Sequence, residues 1–185
     1  MKKMLLLIIV FLGGCSPKQT QDYQKLCIDF CTLNRENKFS VLFEVTTTES
    51  RYHENKVLDL GIFCPYVKGS YMTIQTDESA FINKKTAGSD NFYKCKNGGN
   101  EDIKFYRTYI NRFKNEYESI KIPQYYYHNV LWVDGNPNLG KFIEFALTEK
   151  CKVYYLEDLS TLKPYWKEKF SKFKKVDDKW FYECK

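Results

Sequence analysis

Between residues 103 and 120 the apolar side chains Ile103, Tyr106, Ile110, Phe113, Tyr117 and Ile120 recur at spacings of three and four, the repeat of one face of an α-helix. Asn100 stands where an N-cap is needed, Glu101 and Asp102 complement the positive end, and Pro123 stops the helix. Lys104, Arg107, Arg112, Lys114 and Glu118 fall off the stripe and are expected in water. A face this long and this aromatic needs a broad apolar partner, so it is read as core packed on a sheet and not as a ligand platform.

The flanking segments supply strands for such a sheet. Residues 21–37 place Tyr23, Leu26, Cys27, Phe30 and Leu33 at helical spacing, with Thr20 or Asp22 as cap. Phe39, Val41, Phe43 and Val45 alternate with Ser40, Leu42 and Glu44, and the branched run Val45-Thr46-Thr47-Thr48 follows, which predicts a strand, although Leu42 also allows a second helical turn. Residues 56–64 and 69–76 read as a hairpin with its loop at 66–68. Residues 83–100 are polar, with Gly88, Gly98 and Gly99, and form a long loop that Cys95 staples to the body; the paired glycines lack the spacing of a phosphate cradle.

After Pro123 a run of antiparallel strands is expected at 125–133, 140–148 and 151–157. Asp134, Asn136 and Asn138 alternate as in a calcium loop, but Leu139 and Phe145 occupy the positions that need glycine and a bidentate acid, so a plain turn is expected. Residues 170–176 would pair with 179–184 across Asp177-Asp178, setting Phe173 opposite Tyr182 and Lys172 opposite Glu183. Phe173, Trp180, Tyr182 and Cys184 then share a face. The expected fold class is α+β: two main helices packed on an antiparallel, mostly C-terminal β-meander. That order of elements is similar to the cystatin or nuclear transport factor 2 type of cone-shaped fold.

The chain opens with Met1-Lys2-Lys3, an apolar run from Met4 to Leu12, and then Leu12-Gly13-Gly14-Cys15. Nine apolar residues are too few to span a bilayer, and the flanks are those of a cleaved leader. The motif resembles the lipobox of a bacterial lipoprotein. That resemblance implies cleavage after residue 14, diacylglycerol on the Cys15 thiol, an acylated new amino group, and so a membrane partner through the N-terminal lipid. Ser16, not Asp, follows the cysteine, which favours the outer membrane if the host has two. Residues 15–21 read as a lipidated tether, and 22–185 as a single globular domain in the cell envelope.

Removing Lys2 and Lys3 takes the formal charge from +6 to +4, a mild excess spread among 23 acidic residues. Only residues 163–179 are dense in lysine, interleaved with Tyr165, Trp166, Phe170 and Phe173. Anionic lipid or single-stranded nucleic acid would suit such a segment, but lysines covering the solvent side of a strand pair is the simpler reading. No nucleic-acid partner is expected.

With Cys15 lipidated, Cys27, Cys31, Cys64, Cys95, Cys151 and Cys184 remain, an even set outside the cytoplasm that suggests three disulfides. An i,i+4 pair on one helix is poorly placed to close on itself, so Cys27 and Cys31 are expected to reach different partners. A zinc site would want paired short Cys-x-x-Cys spacings, which are missing, so neither metal nor cofactor is expected.

The chain has two histidines, His53 and His128, far apart, and no nucleophile elbow, zinc-hydrolase helix or kinase loop. The expectation is a non-enzyme. Fifteen tyrosines and fourteen phenylalanines exceed what the core needs, which points to exposed rings in a binding surface, with Tyr125, Tyr126, Tyr127, His128 and Trp132 as candidates. Three functions fit: an envelope lipoprotein that binds a protein partner, of the immunity or exclusion type; a glycan or small-ligand receptor using the tyrosines; or a hydrolase whose carboxylates, such as Asp134 and Glu144, meet across a hairpin.

Overall fold

The structure, a computed structural model, describes residues 22–47, 59–64, 71–76, 92, 95, 103–128 and 130–185. The leader and Cys15, the tether, the hairpin loop, nearly all of residues 83–100 and the Asn100 cap lie outside them. Within them stand three α-helices, α1 (Tyr23–Leu33), α2 (Ile103–Glu118) and α3 (Pro164–Phe170), and eight strands. The strands are β1 (Val45–Thr47), β2 (Asp59–Phe63), β3 (Tyr71–Gln75), β4 (Trp132–Gly135), β5 (Phe142–Ala146), β6 (Cys151–Leu156), β7 (Lys174–Lys175) and β8 (Trp180–Cys184). They form one antiparallel sheet of order β3-β2-β1-β4-β5-β6-β8-β7. The fold is thus α+β.

Each half of the chain is a helix followed by a three-stranded meander, α1-β1-β2-β3 and α2-β4-β5-β6, and the two meanders meet where β1 lies beside β4. The N-terminal half thus contributes three strands and the C-terminal half five, so the sheet is mostly C-terminal, as expected. Because side chains alternate across a strand, Val45, Leu60, Ile62, Val133, Ile143, Phe145, Val153, Tyr155 and Trp180 all fall on one side of the sheet. Leu26, Cys27, Phe30 and Cys31 of α1 and Tyr106, Tyr109, Ile110, Phe113 and Tyr117 of α2 join them in one core. Asp22 caps α1 by accepting the Lys25 N–H at 3.0 Å. Tyr106, Ile110, Phe113 and Tyr117 of the long stripe are core, and Ile120 packs against it, as the spacing requires.

Of the strand expected here the part Val45–Thr47 forms, as β1, while residues 39–44 do not. Leu42–Glu44 is a 3-10 turn, and Phe39, Val41, Leu42 and Phe43 are all buried, which alternation cannot achieve. Glu116 of α2 supplies the reason: its carboxylate accepts the backbone N–H groups of Ser40 (2.9 Å), Val41 (2.9 Å) and Leu42 (3.1 Å), together with the Ser40 hydroxyl. These N–H groups have no ladder to enter, and the acid satisfies them at once. Glu116→Ala is expected to lower stability by about 1 to 3 kcal/mol in urea unfolding followed by tryptophan fluorescence, since it removes the acceptor of three backbone donors, two of them part-buried. A change under about 0.5 kcal/mol would show that water serves them as well.

The same turn presses on β4. A Cβ on Gly135 would lie 2.0 Å from the Leu42 carbonyl oxygen and 2.6 Å from the Phe43 carbonyl carbon, so only glycine lets the two backbones approach this closely.

Behind the sheet, Phe142, Tyr154, Leu156, Leu162 and Phe170 form a second cluster, with Trp166, Phe173 and Phe181 packed on it. Here two expectations fail. Residues 164–170 are helical, not extended, with Pro164 at the first helical position. The closing hairpin is also shifted by one residue: Lys174, not Phe173, faces Tyr182. Asp177 sets that register by accepting the N–H groups of Lys179 and Trp180, each at 2.9 Å. A one-residue slip reverses the faces, so Phe173 stacks on Tyr154, at 4.4 Å between ring centres, instead of joining Trp180 and Tyr182. The lysines of this segment face outward, and the edge strand Lys174–Lys175 carries charge that discourages further pairing.

Two disulfides, Cys64–Cys95 and Cys151–Cys184, brace the fold. The first ties the chain around Cys95 to the end of β2, as expected of that cysteine. The second joins β6 to β8 at a register pair. The expected third bridge is not formed: Cys27 and Cys31 are buried thiols on α1.

Candidate functional site

The tyrosine run after α2 is not the strand its composition suggests. The Tyr126 N–H donates to the Pro123 carbonyl at 2.8 Å, making a turn, and strand β4 begins only at Trp132. Successive side chains of the loop therefore part. Tyr126 is buried, its ring 5.5 Å from His128 and its hydroxyl donating to the Leu147 carbonyl. Tyr125 is 45% exposed and Tyr127 94% exposed, and His128 is exposed.

Tyr125 is held in place by α1. Its hydroxyl donates to the Asp29 carboxylate at 2.7 Å, while the Lys25 ammonium lies 4.9 Å from its ring centre and pairs with Asp29 in the next turn. Ile28, beside them on the same helix, is 42% exposed. Lys25 and then Tyr125, each hydrogen-bonded to Asp29, hold its carboxyl below the usual carboxylate range. Burial, and next the Asp29 bond, push the Tyr125 phenol up. Tyr125 thus stands against one fixed charge pair, and Tyr127 of the same loop and Ile28 of α1 are exposed large side chains on these two segments. Asp29, its carboxyl held low, is suited to accept hydrogen bonds.

Removing the phenol is expected to reverse the shift. In Tyr125→Phe, the Asp29 carboxyl should titrate closer to the ordinary value by NMR. Because the folded pKa is depressed, the contact's stability is complete above the unfolded carboxylate pKa and is lost as pH falls through the folded one. The variant should therefore lose part of the acid-side slope of stability; an unchanged Asp29 titration would contradict the contact.

Trp132 does not join these residues. It lies half-buried on the sheet face that carries the second cluster, donating its indole N–H to Glu144 at 3.2 Å. There Asp134 of β4 stands opposite Glu144 of β5, so the two carboxylates that sequence pairs across a hairpin do meet. Lys152 of β6 neutralises Glu144 at 2.6 Å, with its ammonium 5.4 Å from the Trp132 ring. Next to them Tyr154 donates to Glu183 at 2.7 Å. Burial first, and the Glu144 charge less strongly, raise the Asp134 carboxyl, with a Thr46 hydrogen bond opposing. One Asp134 oxygen finds no hydrogen-bond partner among the described residues.

The lysine-rich segment separates by side. Trp166, Phe170 and Phe173 go inward, while Tyr165 stays 62% exposed with Lys169 against its ring at 4.9 Å. Of the residues that carry the candidate patch, Lys25, Ile28 and Asp29 were not singled out by sequence. Two signals marked them: an i,i+4 ion pair, and an isoleucine off the buried stripe of Leu26, Cys27, Phe30 and Cys31. Among the described residues no helix is long and apolar enough to cross a membrane. Comparison with known proteins finds no matching family model, no matching curated protein and no matching solved structure.

Proposed function

We propose that the chain is an envelope-anchored lipoprotein that acts by binding a protein partner, of the immunity or exclusion type, and not by catalysis. The observation that carries this reading is the exposure of Tyr125, Tyr127 and Ile28, with Tyr125 fixed by the Lys25–Asp29 pair. Tyr125 is already held by Asp29, so binding would order little, and two large rings with few rotatable bonds give contact area at low entropic cost. The anchor rests on the lipobox-like Leu12-Gly13-Gly14-Cys15, and the polar stretch that follows keeps this surface within a short tether of the lipid.

The fold is read as a relative in shape of the cystatin or nuclear transport factor 2 type, supported by the long helix α2 buried against an antiparallel meander. A photo-reactive phenylalanine analogue at position 127 tests the function. One cross-linked adduct of defined mass in intact cells is expected; the same analogue at position 165 should give none. Equal labelling from both positions, or from neither, would contradict a specific partner at this patch.

A second reading, a carboxylate-dependent hydrolase, is favoured by the Asp134–Glu144 pair and the raised Asp134 carboxyl. It predicts turnover of a glycoside that Asp134→Asn abolishes with the fold intact. Turnover absent from the unaltered protein removes it.

A further inference from the structure

Three sulfurs that belong to three different elements converge in the core. The Sγ atoms of Cys27 (α1), Cys151 (β6) and Cys184 (β8) all lie within 4.8 Å of one another. Cys151 and Cys184 are joined, while Cys27 is a thiol whose sulfur touches that of Cys184 at 3.7 Å. Two sulfurs at that distance are in van der Waals contact. A thiol in contact with one sulfur of a disulfide is where exchange starts, and attack follows once side-chain rotation brings the three sulfurs, now bent at Cys184, into line.

We propose that this triad is an exchange site at which the crosslink moves between Cys151–Cys184 and Cys27–Cys184. The Cys27 sulfur, as thiolate, attacks the Cys184 sulfur; the Cys27–Cys184 bond forms as the Cys151–Cys184 bond breaks. The pair of electrons from the broken bond leaves on Cys151, which takes up the proton that Cys27 gave up. One disulfide and one thiol stand on each side, so neither oxidant nor reductant is consumed. Cys184 is the pivot because it is the sulfur that Cys27 touches.

The exchange changes what is tied to what. The present bond links neighbouring strands already held by a hydrogen-bonded register. The alternative links α1, the first element after residue 21, to the last strand, so that pull on the N-terminus passes into the C-terminal strand by a covalent route. Burial pushes the Cys27 thiol up to about 12, so little thiolate exists at neutral pH and the two linkages interconvert slowly enough to be separated.

The test uses the mature protein purified without reductant, quenched in acid, unfolded, labelled with N-ethylmaleimide and cut with trypsin. The sequence places Cys27 with Cys31 in peptide 26–35, Cys151 in 151–152 and Cys184 in 180–185. Expected is maleimide on Cys151 in part of the material, matched by a crosslink between 26–35 and 180–185 whose fragments assign it to Cys27. Cys27→Ser should remove both signals, while Cys31→Ser should leave them. In Cys151→Ser treated with glutathione disulfide, Cys184 should pair with Cys27 completely. The proposal is overturned if label stays on Cys27 and Cys31 alone in the unaltered protein. It is equally overturned if Cys184 of a folded Cys151→Ser protein ends free or glutathionylated. Should Cys151→Ser fail to fold, the unaltered protein decides alone.

Discussion

Trp180→Ala is expected to cost about 3 to 5 kcal/mol, close to the whole stability margin of an ordinary domain. Trp180 is 1% exposed and is the largest fully buried side chain of the core. Its ring lies 6.1 Å from Phe30 of α1, 6.3 Å from Phe39, 5.9 Å from Phe145 of β5 and 5.1 Å from Tyr155 of β6. Those four rings come from four segments, so no single neighbour can move in to refill the space, and the cavity term adds to the lost burial. The indole N–H has no acceptor among the described residues. Trp180→Phe therefore keeps the ring contacts without losing a hydrogen bond and should cost only about 1 kcal/mol, the volume term alone. Equilibrium unfolding of both variants in guanidinium separates the two. If phenylalanine proved as damaging as alanine, the indole would have to be hydrogen-bonded and the packing account would fail.

The second large effect is at Asn34. Its side chain is fully buried and uses all its capacity: the amide nitrogen donates to the Phe30 and Lys121 carbonyls, each at 2.8 Å, while the amide oxygen accepts the Lys121 N–H at 2.8 Å and Asn37 at 2.9 Å. Asn37 donates on to the Ser119 carbonyl at 3.0 Å. This pair thus satisfies the backbone just past α2 with side chains just past α1, in a place where no strand or helix can do so. Asn34→Leu fits the volume but orphans the Lys121 N–H and carbonyl together, at roughly 1 to 3 kcal/mol for each buried group, or about 3 to 5 kcal/mol in all. Hydrogen exchange should show the Lys121 amide losing protection before the sheet does. A loss under about 1 kcal/mol would mean that the two segments are not joined through this amide.

How far sequence reached depends on how local the deciding contact is. The α2 stripe was legible because its period is a property of eighteen neighbouring residues, and β5 and β6 because two short apolar runs flank a turn, although both faces of these strands are covered. Residues 39–44 were not, since a carboxylate more than seventy positions away takes the N–H groups of Ser40, Val41 and Leu42 and lets Phe39, Val41, Leu42 and Phe43 all turn inward. The tyrosine run 125–128 has the composition of a strand, yet the turn at Pro123 and the buried Tyr126 hydroxyl fix it as a loop. Helix α3 was within reach: Pro164 at the start, with Trp166, Phe170 and Phe173 at spacings of four and three, is a helical signature that the interleaved lysines obscured. The hairpin register turned on one Asp177 side chain, too small a signal to read from the chain.

The candidate patch was half legible. An excess of rings announced exposed tyrosines, and the position of Tyr125 and Tyr127 after the helix was open to inspection. That Asp29 and Lys25, almost a hundred residues earlier, would fix one of them could not be read without the fold. The buried thiols were missed for the opposite reason. An even cysteine count argues for closed pairs, while in the core two strands present a register pair that is bonded and leaves Cys27 against it.

The most direct test of the binding surface is affinity capture from envelope extracts with the lipidated protein and with its Tyr125→Ala/Tyr127→Ala variant, both checked for fold by circular dichroism. One protein recovered in equal molar amount by the unaltered chain, and lost by at least tenfold with the variant while Tyr165→Ala retains it, is the result expected, a factor that corresponds to about 1.4 kcal/mol or more carried by the two rings. Equal recovery by the unaltered chain and the double variant would contradict the assignment of binding to this patch.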